Sequence, residues 1–184
     1  MNNRLQDEVV RLHGDLAELM ERCTTLEAEI GTLSNLYVAS QRLHETLDRK
    51  EVLCAIEEIL INLVGSEELA IFEVDAGATT LSLISSFGIE RERYERRPLD
   101  DGLLARAVRT GKTIVVSDET RCADEPRLTA CVPLRLRERV IGVIAVFSLL
   151  PQKPKLEAVD HDLFDLLATA AGTALHNAGG GEQS

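Results

Sequence analysis

Between residues 5 and 33 apolar side chains recur at alternating spacings of four and three: Leu5, Val9, Leu12, Leu16, Leu19, Cys23, Leu26, Ile30 and Leu33. A strict seven-residue repeat of this kind is the seam of a coiled coil. A straight helix drifts off such a stripe, because 3.6 residues per turn does not divide seven. Val9, Leu16, Cys23 and Ile30 fall at position a and the five leucines at d, a pattern that predicts a parallel two-stranded coil. Flanking charges add little: Arg22 faces Glu27 of the partner, while Glu8, Asp15 and Glu29 are assigned no firm cation. Gly14 and Gly31 sit on the outside and lower helix propensity. The alternative is a helix packed on its own domain.

After a looser continuation through Tyr37, Ser40 and Leu47, a helix start is predicted, with Asp48 as N-cap, Glu51 three later and Leu47 stapled to Val52. The helix runs to about Leu63, with Val52, Ile56, Ile59, Leu60 and Leu63 on one side, and Gly65 stops it. The pattern then alternates: strands are predicted at 69–74 and 81–87 around an Asp75-Ala76-Gly77 turn. A charged surface loop follows at 90–97. A short helix, 102–110, is capped by Asp100 or Asp101 and stopped by Gly111. Strands at 113–116, 128–136 and 140–150 follow, the last two joined by a hairpin turn at Arg137-Glu138. Pro151 and Pro154 bound a linker. Asp160 caps a closing helix that presents Leu163, Leu166, Leu167, Ala170, Ala171, Ala174 and Leu175. The expected class is α+β, an antiparallel sheet with helices gathered on one face. The division is a coiled-coil helix at 1–35, a domain at 36–178 and a disordered tail at 179–184.

Composition narrows the function classes. Of 184 residues 45% are hydrophobic but only 3% aromatic, so the core is aliphatic. A formal net charge of -11 argues against nucleic acid and anionic membranes as partners. The longest apolar run, 140–150, is too short to cross a bilayer, and no signal pattern opens the chain. Four widely spaced cysteines imply neither a metal site nor a disulfide framework, so a reducing cytoplasm is expected.

From about Leu36 to Ala178 the chain resembles a GAF domain. The resemblance rests on the helix after Leu47-Asp48, on Ile71-Phe72 with Asp75, and on residues 102–112 with Val116-Ser117-Asp118. It continues in Val132-Pro133-Leu134, in residues 140–144 and in the closing helix through His176-Asn177-Ala178. It implies a six-stranded antiparallel sheet flanked by helices, dimerisation through terminal helices, and in many members a small ligand. The segment from Glu119 to Cys131 is short for the lid of a ligand-binding member, and the cyclic-nucleotide pattern is not apparent. Cys122 and Cys131 are not followed by His, so no bilin is implied. His13, His44, His161 and His176 fall on helices outside the sheet, so no haem is implied. No cofactor is expected.

Gly111-Lys112-Thr113 has the look of a phosphate-loop ending, but a helix precedes it and a strand follows, so it reads as a helix stop. The weak ligand candidates are Asp118, Cys122, Arg127 and Cys131. Arginines beside Cys122 would lower its thiol pKa. With Cys131 as resolving thiol and Glu119, Asp124 and Glu125 nearby, the set is similar to the free methionine-R-sulfoxide reductases, a GAF-like family of thiol enzymes, though its longer catalytic segment is missing here. The plainer reading is one exposed and one half-buried thiol; Cys23 and Cys54 read as packing residues. Arg135, Arg137 and Arg139 form a small basic edge. No kinase, cyclase, phosphodiesterase or DNA-binding segment is seen. The expectation is a non-enzymatic homodimeric module that acts on a protein partner, with a ligand sensor and a thiol enzyme as the rivals.

Overall fold

A computed structural model describes residues 2–117, 127–153 and 155–179, with only the backbone described at 2–5 and 7. The chain divides into two compact units, residues 1–37 and 38–184. The first is made by helix α1, Asn2–His44, whose last residues belong to the second unit.

In the second unit Ala39 and Leu43 of α1 are fully buried. Asp48 caps α2 (Arg49–Ile59): its carboxylate accepts from the amides of Lys50 and Glu51. The expected reciprocal box is replaced by a relay, because Thr46 Oγ1 accepts from the Asp48 amide and donates to Glu51. The expected staple fails too, since Leu47 is 76% exposed. The helix continues through a π turn, Leu60–Val64, and ends on Gly65 in the left-handed conformation. One extra residue in that turn rotates the positions beyond it about the helix axis, so Val64 is buried and Leu63 only partly so.

The sheet contains β1 (Ser66–Val74), β2 (Thr80–Phe87), β3 (Arg96–Pro98), β4 (Ile114–Val115), β5 (Ala130–Leu136) and β6 (Arg139–Leu149). Its order is β3-β2-β1-β6-β5-β4 and all pairings are antiparallel. The β1–β2 turn is organised by Asp75, whose carboxylate accepts from the amides of Thr79 and Thr80 at 2.6 and 2.9 Å. These bonds, the Thr80 amide foremost, hold the carboxyl below its usual range. The left-handed residue of the turn is Ala78, at φ 51°, rather than Gly77.

Between β2 and β5 lie α3 (Arg91–Tyr94), β3 and α4 (Leu103–Thr110). The 90–97 segment is therefore a helical turn and an edge strand, not a loop. Gly102 occupies the N-cap of α4 without a side-chain bond, so neither Asp100 nor Asp101 caps it. Gly111, at φ 63°, ends α4 as expected and rules out a phosphate loop there. The chain closes with α5 (Ala158–Leu166), a second π turn (Leu167–Ala171) and α6 (Gly172–Gly179). The N-cap of α5 is Glu157; Asp160 stands three residues later, completing a capping box. Leu163, Leu167, Ala171, Ala174 and Leu175 are buried as expected; Phe164 and Ala168 are buried as well, and Leu166 and Ala170 only partly so.

Helices cover both faces of the sheet, not one. Ala70, Phe72, Val143, Ala145 and Phe147 pack with Leu104, Ala107 and Val108 of α4 in one cluster. Alternation sends Leu69, Ile71, Val132, Ile144 and Val146 to the other face, where they are buried with α2, α5 and α6.

Candidate functional site

The N-terminal helix presents its stripe to solvent. Val9, Leu12, Leu16, Leu19, Leu26, Ile30 and Leu33 are 50–65% exposed, and Cys23 is exposed. The side chain of Leu5 lies outside the described residues. The charges pair within the helix: Arg11 reaches Glu8 at 2.8 Å and Arg22 reaches Glu18 at 3.8 Å. Glu8 thus has the cation the sequence did not assign it, because residues three apart are neighbours on a helix. A row of leucines this exposed on a polar helix is unsatisfied in water.

The thiol candidates do not assemble among the described residues. Cys131, on β5, is fully buried in the α4 cluster. Burial pushes its thiol up to about 12, with Arg106 pulling weakly the other way. A buried neutral thiol is a poor nucleophile and a poor resolving group. Arg127 is drawn elsewhere: it donates to Glu68 at 2.6 Å and to the Ser148 hydroxyl at 3.1 Å. Asp118 and Cys122, with Glu119, Arg121, Asp124 and Glu125, lie outside the described residues. Cys54 is exposed, not a packing residue, since it falls on the outer side of α2.

The arginine segments also resolve. Tyr94 packs on Phe147 with ring centroids 5.2 Å apart, and the guanidinium carbons of Arg93 and Arg97 each stand 5.7 Å from the Tyr94 ring. Part of the 91–97 cluster is thereby a cation–π arrangement over the core edge. Of the hairpin arginines, Arg135 is not an open edge cation. Its Nη1 reaches the Gly111 carbonyl at 3.4 Å, and its Nε is buried without a partner among the described residues. The arginine complements the carbonyl end of α4, and β-strand alternation, readable in the sequence, could have placed it there. Among the described residues no group of three or more His, Cys, Asp or Glu could hold a metal. No described helix is long and apolar enough to cross a membrane.

An antiparallel six-stranded sheet clad by helices on both faces, preceded by one long helix, defines an α+β sandwich module with an N-terminal helical extension. The model of the GAF domain family matches residues 46–176, and the chain belongs to that family. No curated protein sequence matches the chain. Among solved structures, residues 122 to 287 of a methyl-accepting chemotaxis protein share 21% identity at a TM-score of 0.63, covering 79% of this chain and 99% of that one. The GAF domain of an Acinetobacter phosphoenolpyruvate-protein phosphotransferase shares 20% at 0.63, covering 80% and 94%. A Neisseria meningitidis free methionine-R-sulfoxide reductase, solved with its substrate, shares 20% at 0.63, covering 82% and 91%. At these identities the likeness establishes the fold.

Proposed function

We propose that the protein is a non-enzymatic, cytoplasmic GAF-type regulatory module that forms homodimers and acts in trans as an adaptor for another protein. The observation that carries this reading is the exposed seam from Val9 to Leu33. A second copy of the same helix buries it in register, with a leucine at every d position. The dimer then offers two copies of the GAF domain to a partner. The absence of catalysis in this reading is supported by Cys131, whose burial and raised pKa unsuit it to thiol exchange.

Sedimentation equilibrium tests the reading. The full chain should sediment as a dimer at micromolar concentration, and a chain lacking residues 1–33 as a weaker dimer or a monomer. A full chain that stays monomeric overturns the proposal. Turnover of methionine sulfoxide with a thiol reductant, lost in Cys131→Ser, would overturn its non-enzymatic part.

A further inference from the structure

A cleft of about 440 Å³ opens between the start of α2, the end of α6 and the strands β1, β2 and β6. Its floor is apolar, made by Ile84, Leu134, Ile141 and Leu175. Ile84 is the extra residue of a bulge: Ser85 pairs with Ile71 and Leu83 with Phe72. Such an insertion re-aims side chains, so that Ile84 lines the cleft while its neighbour Ser85 reaches Glu57 of α2.

The rim carries Arg49, Glu73, Arg139 and His176. Their hydrogen-bonding capacity is unevenly engaged. Glu73, the one carboxylate of the rim among the described residues, already accepts from Arg49 at 2.9 Å. Among the described residues Arg139 makes one long bond, Nη2 to the Ala76 carbonyl at 3.4 Å. That leaves most of its five donors open. The His176 ring has no hydrogen-bond partner within the described residues. Gly179 borders the cleft where a methyl group would come within 3.3 Å of Arg49 Nη1, so the glycine keeps that guanidinium uncovered. Arg139 therefore offers open N–H donors and His176 one ring N–H, set above an aliphatic floor, on a chain whose net charge of -11 otherwise repels anions.

We propose that this cleft binds a small organic anion, an oxyanion head on a compact apolar body. The head sits between Arg139 and His176, and the body lies on Ile84 and Ile141, with the buried Leu134 and Leu175 behind them. The volume is in the range of small-molecule sites, roughly 300–1,000 Å³. The proposal does not depend on dimerisation.

Titration of the full chain with benzoate, phenyl phosphate and benzamide, followed by amide nitrogen–proton correlation spectra, tests it. At least one of the two anions should give saturable shifts at the amides of Glu73, Gly142 and His176, and the arm that binds identifies the head group. Arg139→Gln should weaken that binding by about tenfold or more. Arg137→Gln, an exposed cation on the neighbouring hairpin turn and outside the cleft, should leave it unchanged. Three results would overturn the assignment: no saturable shift from either anion, equal shifts from neutral benzamide, or equal loss in the two arginine variants.

Discussion

Gly172 lies flat against the backbone of Arg135: a methyl group added at Gly172 would stand 2.4 Å from the Arg135 carbonyl oxygen and 2.9 Å from its amide nitrogen. This contact lets α6 close down on β5. Glycine inside a helix costs about 1 kcal/mol relative to alanine, so Gly172→Ala gains helix propensity and loses the approach. Backbone cannot move aside as a flexible side chain can, and overpacking of this kind costs about 1–3 kcal/mol. With the propensity gain set against the overpacking, the variant should lose up to about 2 kcal/mol, read as a lower urea midpoint. Gly14 and Gly31 in α1 meet nothing within 4 Å. There the same substitution should add helix, by about 1 kcal/mol each, measured as a higher helix melting temperature by circular dichroism.

That contrast marks how far the sequence could be read. The strands, the Gly65 and Gly111 stops and the hairpin at Arg137-Glu138 follow from period and turn chemistry, both local signals. The two π turns have no local signature; Val64 is buried where Leu63 was expected, and Ala168 joins the expected core positions. The turn at Asp75 was legible, but its left-handed residue is Ala78, at φ 51°, where the Asp75 carboxylate fixes the amides that follow. The position of Asp160 is another such case: an aspartate three residues inside a helix and one at its cap look alike in sequence. Of the candidate site, the exposed apolar stripe from Val9 to Leu33 was legible because its period is local. The cleft was not, since Arg49, Arg139 and His176 come from three elements that only the fold brings together.

The ammonium of Lys153 lies 2.6 Å from Oδ1 of Asp160, and the aspartate is fully buried. Its other oxygen accepts from the Glu157 amide at 2.6 Å. Lys153→Met strands a carboxylate in the interior, which costs about 3–5 kcal/mol. Asp160→Asn combined with Lys153→Met keeps an acceptor for Glu157 and removes the stranded charge, so the double variant should be more stable than Lys153→Met alone. A double-mutant cycle by urea denaturation reads the coupling directly. Additive losses would show that the pair is not an energetic unit.

Cys131 makes stability fall with alkali. Its thiol ionises near 9.0 when unfolded and at about 12 in the fold. Between those values the unfolded chain holds fewer protons than the folded one, so stability declines as pH rises, by up to about 1.4 kcal/mol per pH unit. Below the unfolded value the contribution is level. Urea midpoints between about pH 8 and 10 should drop less steeply in Cys131→Ala than in the parent chain. At neutral pH, alkylation mapped by mass should modify Cys54, which is exposed, and spare Cys131, which is buried. Rapid alkylation of Cys131 in the folded protein would restore it as a candidate nucleophile.

Cys23 reports the direction of the proposed coil. In a parallel, in-register pair the two Cys23 residues meet across an a layer. Diamide then takes up two hydrogens as the two thiols become one disulfide, and a covalent dimer appears on a non-reducing denaturing gel. In an antiparallel pair each a position faces a d position, so Cys23 meets Leu12 or Leu19 of the other copy. The two Cys23 positions would then lie at least four residues apart, or about 6 Å along the axis in addition to the gap between the helices. A disulfide requires Cα atoms within roughly 7 Å, so the antiparallel coil gives no cross-link at this site. Cys23→Ser should abolish the covalent dimer and Cys54→Ser should leave it. A chain that sediments as a dimer yet resists cross-linking through Cys23 would keep the seam but reverse the coil.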